Sequence, residues 1–391
     1  MRNLRERLMA VASSRPIEPK APPQPKEEPF FCREHIVALE ELGGIECTTL
    51  DEICACDPLF TGTIWDVSRL LFLDTETTGL SGGAGTVAFE IGLGFIDHRG
   101  MVIRQYVMRD YSEEGAMLEE IAALFRRFDT VVSFNGKTFD LPLLESRMVM
   151  NRIRMPVTQM PHLDLLHAAR RVYKMRLKRC SLSALEEAVL GHCRQDDLPG
   201  AQVPQRYFDY IRTKEFSLLE DVLRHNFDDV KSLAQLTAHL CAVFRKPESL
   251  AHAQDLLGVG KTLMRSGRTQ RARACFRILG RSTLSAQAHM HLAVSYKKEK
   301  EWEEAVTTWQ NMIAQGSGGV YPYIELAKYF EHIAKAPDRA LRYAHGALAC
   351  ALNMAVLHRE DEKQTALIRK RIGRLKRKLE NASKDDESGG I

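Results

Sequence analysis

The sequence predicts an α/β domain, with a mixed sheet and flanking helices, followed by an all-α domain. Over residues 67–246, apolar runs with strand character alternate with helical patterns. Beyond Lys246 and Pro247 the strand signals disappear and only helical patterns remain. A chain of 391 residues is also too long for one ordinary core, which favours two or three domains.

Composition narrows the class of protein. The 55 basic and 51 acidic residues nearly balance, so any affinity for nucleic acid must come from local patches of charge. The nine cysteines are scattered singly without a CxxC pair, which favours reduced thiols over a disulfide framework or a zinc site. No apolar run approaches the eighteen or so residues that a membrane helix needs. We therefore expect a cytoplasmic protein without a membrane segment.

The N-terminal part carries weak signals. Residues 1–30 are predicted to be a flexible segment, because the stretch from 15 to 30 is rich in proline and charge. Residues 31–66 have mixed patterns, and we expect them only to pack as a lead-in to the first domain.

The first strong signal is an apolar run, 70–73, that ends in two carboxylates. Leu70 to Leu73 predict a strand that is buried on both faces, and strand alternation then points Asp74 and Glu76 to the same side. Two neighbouring carboxylates repel each other unless a cation lies between them, and a hard divalent metal is the usual remedy. The alternative is a strand that simply runs into a polar turn at 77–79.

The next elements complete a small sheet. Residues 86–97 and 101–108 predict two further strands and an antiparallel meander, with SGGAG at 81–85 as a hairpin turn. A phosphate loop is less favoured there, because no helix follows and the Gly-Lys-Ser/Thr ending is absent. Residues 113–128 predict a helix packed on the sheet.

A further acid follows the strand at 130–134. This strand ends in an Asn-Gly-Lys turn, and Asp140 comes where the chain enters a helix. Open α/β sheets place their sites at the carboxyl ends of their strands. The alternative for Asp140 is a helix N-cap.

A basic stretch and a late helix close the first domain. Cations cluster from Arg170 to Arg179 ahead of a helix near Ser181, which suits a phosphate backbone, although a solvated basic face is an equal alternative. In the last helix of the domain, His225 and Asp229 are four residues apart and share one face.

The motifs DTETTGL, NGKTFD and HNFDD, in this order, resemble the DEDD superfamily of 3′–5′ exonucleases on a ribonuclease-H-like fold. The sequences FLDTETTGLSGGAGT and SFNGKTFDLPLL are most similar to the YprB-like branch of that superfamily. The resemblance covers residues 67–244. It implies that two divalent ions, Mg²⁺ or Mn²⁺, are held by four acids, Asp74, Glu76, Asp140 and Asp229.

The resemblance also implies catalytic and substrate-binding roles. A Tyr or His on the last helix of the superfamily orients or deprotonates the attacking water, and His225 has that place here. The spacing of four to Asp229 is that of the tyrosine-type members, whereas histidine-type members use five. Asp228 is the alternative ligand, but the four-residue offset of Asp229 stacks it on His225.

Two short segments are implied to contact the substrate. In the superfamily the first lines the pocket for the terminal nucleotide and the second approaches the next one, where an aromatic ring can stack on a base. A plain turn or packing role is the alternative for each residue. The first segment is Thr78, Gly79 and Leu80; the second contributes Asn135, Lys137 and Phe139.

The C-terminal region resembles tetratricopeptide repeats. Ala272, Ala305 and Ala340 recur at intervals of 33 and 35 residues, which predicts about three helix–turn–helix units over 252–356. Such repeats present a surface for a protein partner, and the alternative is a domain that only stabilises the first one. GVGKT at 258–262 is not a phosphate loop, because position 255 is not glycine and no strand precedes it. Residues 357–380 predict a basic helix and 381–391 a disordered tail.

Together these features predict a metal-dependent 3′–5′ exonuclease that acts on the ends of single-stranded RNA or DNA and recruits a protein partner through its repeats. One alternative is a non-catalytic scaffold that holds nucleic-acid ends while the repeats bind protein. The other is a structure-specific endonuclease.

Overall fold

The computed structural model describes residues 28–63, 65–79, 85–194, 197–356 and 362–388. Its first part is built on one six-stranded sheet with the order β1-β4-β3-β2-β5-β6. The strands are β1 (Phe31–Val37), β2 (Leu70–Thr77), β3 (Ala88–Asp97), β4 (Gly100–Val107), β5 (Thr130–Ser133) and β6 (His162–Asp164).

The sheet is mixed. Strands β2, β3 and β4 form the predicted antiparallel meander, while β5 pairs parallel with β2, and β6 pairs parallel with β5. The lead-in region does more than the sequence predicted, because β1 pairs antiparallel with β4 and forms one edge of the sheet. Residues 28–30 also differ from the predicted flexible segment: Phe30 is buried, and its ring centroid lies 5.9 Å from that of Tyr106.

Strand β2 is buried on both faces, as its apolar run predicts. Leu70 and Phe72 join the core on the face that packs against the last helix of the domain, and Leu71 and Leu73 join the core on the other face. All four are fully buried. Strand alternation therefore carries the two acids that follow onto the first of these faces.

Within the described ranges, seven α-helices surround the sheet. Helix α1 opens with a reciprocal capping box between Thr49 and Glu52, and α3 tolerates Pro142 in its first turn. The short α5 continues as a π-helical turn over Glu186–Leu190. The helices are α1 (Leu50–Cys56), α2 (Glu114–Phe125), α3 (Asp140–Met150), α4 (Leu165–Tyr173), α5 (Leu182–Leu185), α6 (Val203–Thr213) and α7 (Glu220–Arg245).

Helix α7 lies close against the sheet because two glycines of β3 leave room for it. A Cβ at Gly92 would lie 2.1 Å from Asn226 Oδ1, and a Cβ at Gly94 would lie 2.7 Å from Val230 Cγ1. Real Cβ atoms do not approach so closely, so both positions depend on the missing side chain. At 1.5 Å per residue, the 26 residues of α7 span about 39 Å.

The second part contains only helices in the described ranges, as the sequence predicts. The first six form three consecutive helical hairpins, and the three repeating alanines are fully buried at the same place in the second helix of each hairpin. Their relation to tetratricopeptide repeats stays a prediction. The helices are α8 (Ala253–Arg265), α9 (Thr269–Leu279), α10 (Ser285–Lys298), α11 (Trp302–Ala314), α12 (Tyr321–His332), α13 (Pro337–Val356) and α14 (Glu362–Ser388).

The end of the chain corrects one prediction. Helix α14 runs to Ser388, so residues 381–388 are helical rather than disordered. The segment from Asn381 to Ser388 contains neither glycine nor proline, and nothing in it stops the helix before Gly389. No helix in the described part of the chain is both long and apolar enough to cross a membrane.

The hydrophobic core is continuous between the two parts. A single cluster of buried side chains runs from Phe72 in the sheet through Val172 and Leu257 to Trp309 in the helical hairpins. The two parts meet closely between α4 and α8, where a Cβ at Gly258 would lie 2.6 Å from the carbonyl oxygen of Val172. The helical hairpins are therefore docked directly on the α/β part.

Candidate active site

Two of the candidate acids extend from β2 toward helix α7. Asn226 of α7 donates its side-chain amide to Asp74 Oδ2 at 2.9 Å. Glu76 lies one alternation further along β2, and its Oε1 is 3.7 Å from His225 Nε2. Both carboxylates therefore face the same helix, as their spacing of two residues predicts.

Helix α7 contributes a third acid. His225 Nε2 lies 3.8 Å from Asp229 Oδ2, one helical turn away. The charge of Asp229 is among the causes that raise the pKa values of Asp74 and Glu76, so its carboxylate lies beside theirs. Asp228 instead lines a separate surface depression with Lys231. The helical phase thus brings Asp229, and not Asp228, to the acids of β2.

Asp140 approaches from the other face of the sheet. It is the first residue of α3, and Phe139 occupies the cap position, so Asp140 does not act as an N-cap. Thr75 lies between Asp74 and Glu76 on β2, so its side chain is on the opposite face of the strand. Its hydroxyl donates to Asp140 Oδ1. Burial raises the pKa of Asp140 to about 6. Asp140 therefore approaches the end of β2 from the face opposite to Asp74 and Glu76.

The neighbouring acids destabilise the charged forms of Asp74 and Glu76. Burial raises the pKa of Asp74 well above its usual range, and the charges of Asp229, Glu76 and Asp140 raise it further. Burial also raises the pKa of Glu76, with added repulsion from Glu90 and Asp229. Repulsion between buried carboxylates at neutral pH favours the binding of a compensating cation.

Arg194 supplies a cation that the sequence did not predict. Its guanidinium forms ion pairs with Asp229 and with the buried Glu186, and its Nη1 lies 3.4 Å from His225 Nδ1. Among the described residues, Arg194 is the one arginine or lysine that forms an ion pair with any of the four acids. It lies in an irregular loop, where no periodicity could have connected it with the HNFDD motif.

The donor chemistry fits a hard divalent ion, although the side-chain arrangement does not yet form a cage. Carboxylate oxygens are the ligands that Mg²⁺ and Mn²⁺ prefer. In the described ranges, no three His, Cys, Asp or Glu side chains lie together in a group that could hold a metal ion. Asp229 is directed to Arg194 instead.

Comparison with known proteins connects this geometry with a family. Residues 71–241 match the model of the RNase_H superfamily, and this range contains all four acids. Over 361 residues the chain is 35% identical to "Uncharacterized protein YprB" from Bacillus subtilis (strain 168), covering 90% of this chain and 84% of that protein. The chain belongs to the YprB family.

A solved structure shows a much weaker likeness. The family B DNA polymerase from the hyperthermophilic archaeon Pyrobaculum calidifontis aligns with 56% of this YprB family chain and 30% of its own, at 14% identity and a TM-score of 0.32. A likeness this low supports no conclusion about activity.

Behind the acids, this YprB family member carries a buried polar network that the sequence did not predict. Gln105 Nε2 donates to Glu90 Oε1 at 3.0 Å and to the carbonyl of Leu223 at 2.6 Å. It also lies 3.3 Å from Asn226 Oδ1, and Asn226 in turn holds Asp74. Glu90 is opposite Glu76 in the register of β2 and β3, a pairing that a lone acid in an apolar strand does not reveal in the sequence.

A second acid outside the predicted set orients the histidine. Asp197 Oδ1 lies 2.7 Å from His225 Nδ1. The other ring nitrogen, Nε2, faces Glu76 and Asp229.

The first predicted substrate segment takes part in a turn. Thr78 donates its backbone N–H to the carbonyl of Val87 at 2.9 Å, and its hydroxyl accepts from the N–H of Val87 at 3.1 Å. The hydroxyl of Thr77 donates to the carbonyl of Gly79. These contacts close the hairpin between β2 and β3. Leu80 lies outside the described residues.

The second predicted segment is held by Asp164 at the end of β6. Its two carboxylate oxygens accept from the backbone N–H groups of Asn135, at 2.9 Å, and Lys137, at 3.3 Å. Asn135 adopts a left-handed backbone with φ of 68°. Phe139 is half-buried and belongs to neither core cluster, so its ring is not committed to the packing of the core.

Proposed function

We propose that this protein is a metal-dependent 3′–5′ exonuclease of the DEDD type that acts on single-stranded nucleic-acid ends. The observation that carries the proposal is that the charges of Asp229, Glu76 and Asp140 all raise the pKa of Asp74 at the end of β2. Among the described arginines and lysines, this build-up of negative charge is opposed by the single ion pair from Arg194 to Asp229. Membership of the RNase_H superfamily supports the same class of reaction.

The four acids would hold two divalent ions, Mg²⁺ or Mn²⁺. When bound, such ions lower the pKa of the attacking water and stabilise the charge that develops on the leaving oxygen. Other side chains of the protein hold these carboxylates in position. Asn226 fixes the Asp74 carboxylate from α7, and Thr75 fixes that of Asp140 from the opposite face of β2.

His225 is proposed as the general base. Asp197 lies 2.7 Å from Nδ1 and orients the ring, and Nε2 is directed to the acids. A histidine held by a carboxylate on one nitrogen can take a proton from water on the other.

The two loop segments would hold the 3′ end. Thr78, Gly79 and Leu80 would line the pocket for the terminal nucleotide, and Asn135, Lys137 and Phe139 would contact the next one. The uncommitted ring of Phe139 supports base stacking, which needs no particular sequence.

The test is a digestion of 5′-labelled single-stranded RNA and DNA in Mg²⁺ or Mn²⁺. We expect a ladder that shortens from the 3′ end with wild-type protein and no ladder with Asp74→Asn or Asp140→Asn. Asp338→Asn is the matched control, because it makes the same change at an exposed acid far along the chain on α13. Unchanged digestion by folded Asp74→Asn would refute the site. Cleavage of a circular strand would refute the exonuclease and favour a structure-specific endonuclease.

One observation favours a second function, that of a non-catalytic scaffold. The ion pair between Arg194 and Asp229 neutralises one of the acids without a metal ion. In this second proposal the α/β domain holds nucleic-acid ends while the helical hairpins recruit a protein partner. Tight binding of a single strand in Mn²⁺ without any hydrolysis would support it.

A further inference from the structure

We propose that a single strand of nucleic acid, after leaving the acids, runs over a basic surface that α4 and α8 build together, so that the first helical hairpin takes part in binding the substrate. This inference rests on the proposed function and names the path of its substrate. The basic surface consists of six exposed cations, Arg170, Lys174, Lys178, Arg179, Lys261 and Arg265.

The six cations line two adjoining depressions. The first depression is lined by Asn135 and by the cations of the α/β domain, including Lys178. The second is lined by cations of both domains, including Lys261 of α8. Arg170 and Lys174 belong to both depressions, so the two form one continuous track.

The track begins beside the turn that precedes Asp140. Asn135 precedes Gly136, where a Cβ would lie only 3.0 Å from Asp140 Oδ2. The first depression therefore opens beside the turn that carries Asp140, and the second leads away from it over α8. A strand whose 3′ end lies at the acids has a charged path along its backbone.

Among the residues that the structure describes, these cations have no acidic partner. None of the six forms an ion pair with an acid in the described part of the chain, whereas their neighbours Arg171 and Arg176 pair with Asp57 at 2.9 Å and Asp255 at 2.7 Å. Burial lowers the pKa of nearby His291, and the charges of Lys261 and Arg265 lower it further. An unpaired row of like charges favours a polyanion, and phosphodiester backbones bind to such rows.

The packing of α8 on α4 is what makes the two sets of cations one surface. A Cβ at Gly258 would lie 2.6 Å and 2.7 Å from the carbonyl oxygens of Val172 and Arg171, so a larger side chain would push α8 away from α4. Gly260 similarly leaves room for the ring of Phe276. The GVGKT stretch is thus the interior of a helix, where its glycines serve packing and its lysine is exposed on the track.

A single strand fits this track better than a flat anionic surface does. The cations line two adjoining depressions that share Arg170 and Lys174, and the first depression opens beside the turn that precedes Asp140. The half-buried ring of Phe134 borders the first depression and offers an apolar contact for a base. RNA and DNA share the backbone chemistry that the cations would recognise, so both are tested.

The test is a double substitution, Lys261→Gln with Arg265→Gln, made in full-length protein that also carries Asp74→Asn. Binding of labelled single-stranded RNA and DNA is measured by fluorescence anisotropy in chelator, so that hydrolysis does not interfere. We expect affinity for a long strand to fall roughly tenfold. The slope of log affinity against log salt should flatten by about 1.4, since each lost phosphate contact on a single strand contributes about 0.7. Binding of a dinucleotide should not change, because it does not reach α8.

The matched control is Arg281→Gln with Lys298→Gln, which removes the same charge from exposed positions outside both depressions. It should keep the wild-type slope. Unchanged affinity and slope in the Lys261 and Arg265 variant would overturn the inference. The inference would also be overturned if this variant lost its binding to phosphatidylserine vesicles but kept its binding to single strands. The inference is separate from hydrolysis. If protein with Asp74 intact cleaves nothing while strand binding depends on Lys261 and Arg265, the nuclease is rejected and the track is kept.

Discussion

Replacing Arg194 by methionine tests whether its guanidinium holds Asp229 in place of a metal ion. The substitution keeps an unbranched side chain and removes the charge. Asp229 and Glu186 then lose their shared partner, and Glu186 has only 2% of its side chain exposed. Removing one member of a buried ion pair typically costs about 3–5 kcal/mol, because the remaining charge stays uncompensated. The side chains of Arg194 and Asp229 are 12% and 17% exposed, which favours the lower end, about 3 kcal/mol.

The same substitution should strengthen the response to divalent ions. In wild-type protein an ion that binds Asp229 has to displace Arg194, whereas in Arg194→Met that carboxylate is free. If the dissociation constant for Mn²⁺ falls tenfold, saturating Mn²⁺ adds about 1.4 kcal/mol more stabilisation in the variant than in wild type. The metal should thus recover part of the stability that the substitution removed.

The assay is urea unfolding of chelator-treated protein, without and with Mn²⁺, together with calorimetric titration of Mn²⁺. Arg212→Met is the control, because Arg212 pairs with Asp209 on the surface with 77% of its side chain exposed. Loss of such an exposed pair changes stability by less than about 1 kcal/mol. Equal stabilisation of wild type and Arg194→Met by Mn²⁺ would refute the reasoning.

Three further outcomes are expected. Gly92→Ala should displace Asn226 and lower the free energy of unfolding by about 1–3 kcal/mol in urea, while Gly85→Ala, which has open space around it, should not. Gly258→Val should separate the two basic helices and flatten the salt dependence of strand binding; an unchanged slope would contradict the packing argument. The raised pKa of Asp140, about 6, means that its contribution to stability is complete below pH 4 and is lost as pH rises through 6. Asp140→Asn should therefore gain about 2–3 kcal/mol relative to wild type over that interval in chelator, and a pH-independent difference would be inconsistent with this shift.

The elements predicted well are those whose signal lies within a few residues. Alternation alone predicts that the apolar run at 70–73 is buried on both faces and that Asp74 and Glu76 face one helix. Helical phase likewise separates Asp229 from Asp228, because a step of one residue on a helix turns the side chain by about 100°. The fold class follows from the same local periodicities.

The parts that the sequence did not predict depend on distant partners. Strand β1 has a mixed pattern of buried and exposed residues, and it becomes a strand by pairing with β4, some seventy residues later in the chain. Arg194 and Asp197 lie in an irregular loop without a periodic pattern, so only the folded chain brings them to His225. Glu90 was hidden for another reason, since a single acid in an apolar strand does not reveal that it faces a second acid across the sheet.

The continuity of the core has a consequence for how this chain unfolds. One cluster of buried side chains links the sheet to the helical hairpins, and Gly258 lets the backbones of α4 and α8 meet across the junction. Domains joined by a thin linker melt separately, whereas segments that share a core lose their stability together. We expect a single calorimetric transition for the whole chain. Truncation after Lys246 would leave the apolar surface of α4 open to solvent and promote aggregation rather than yield an independent α/β domain.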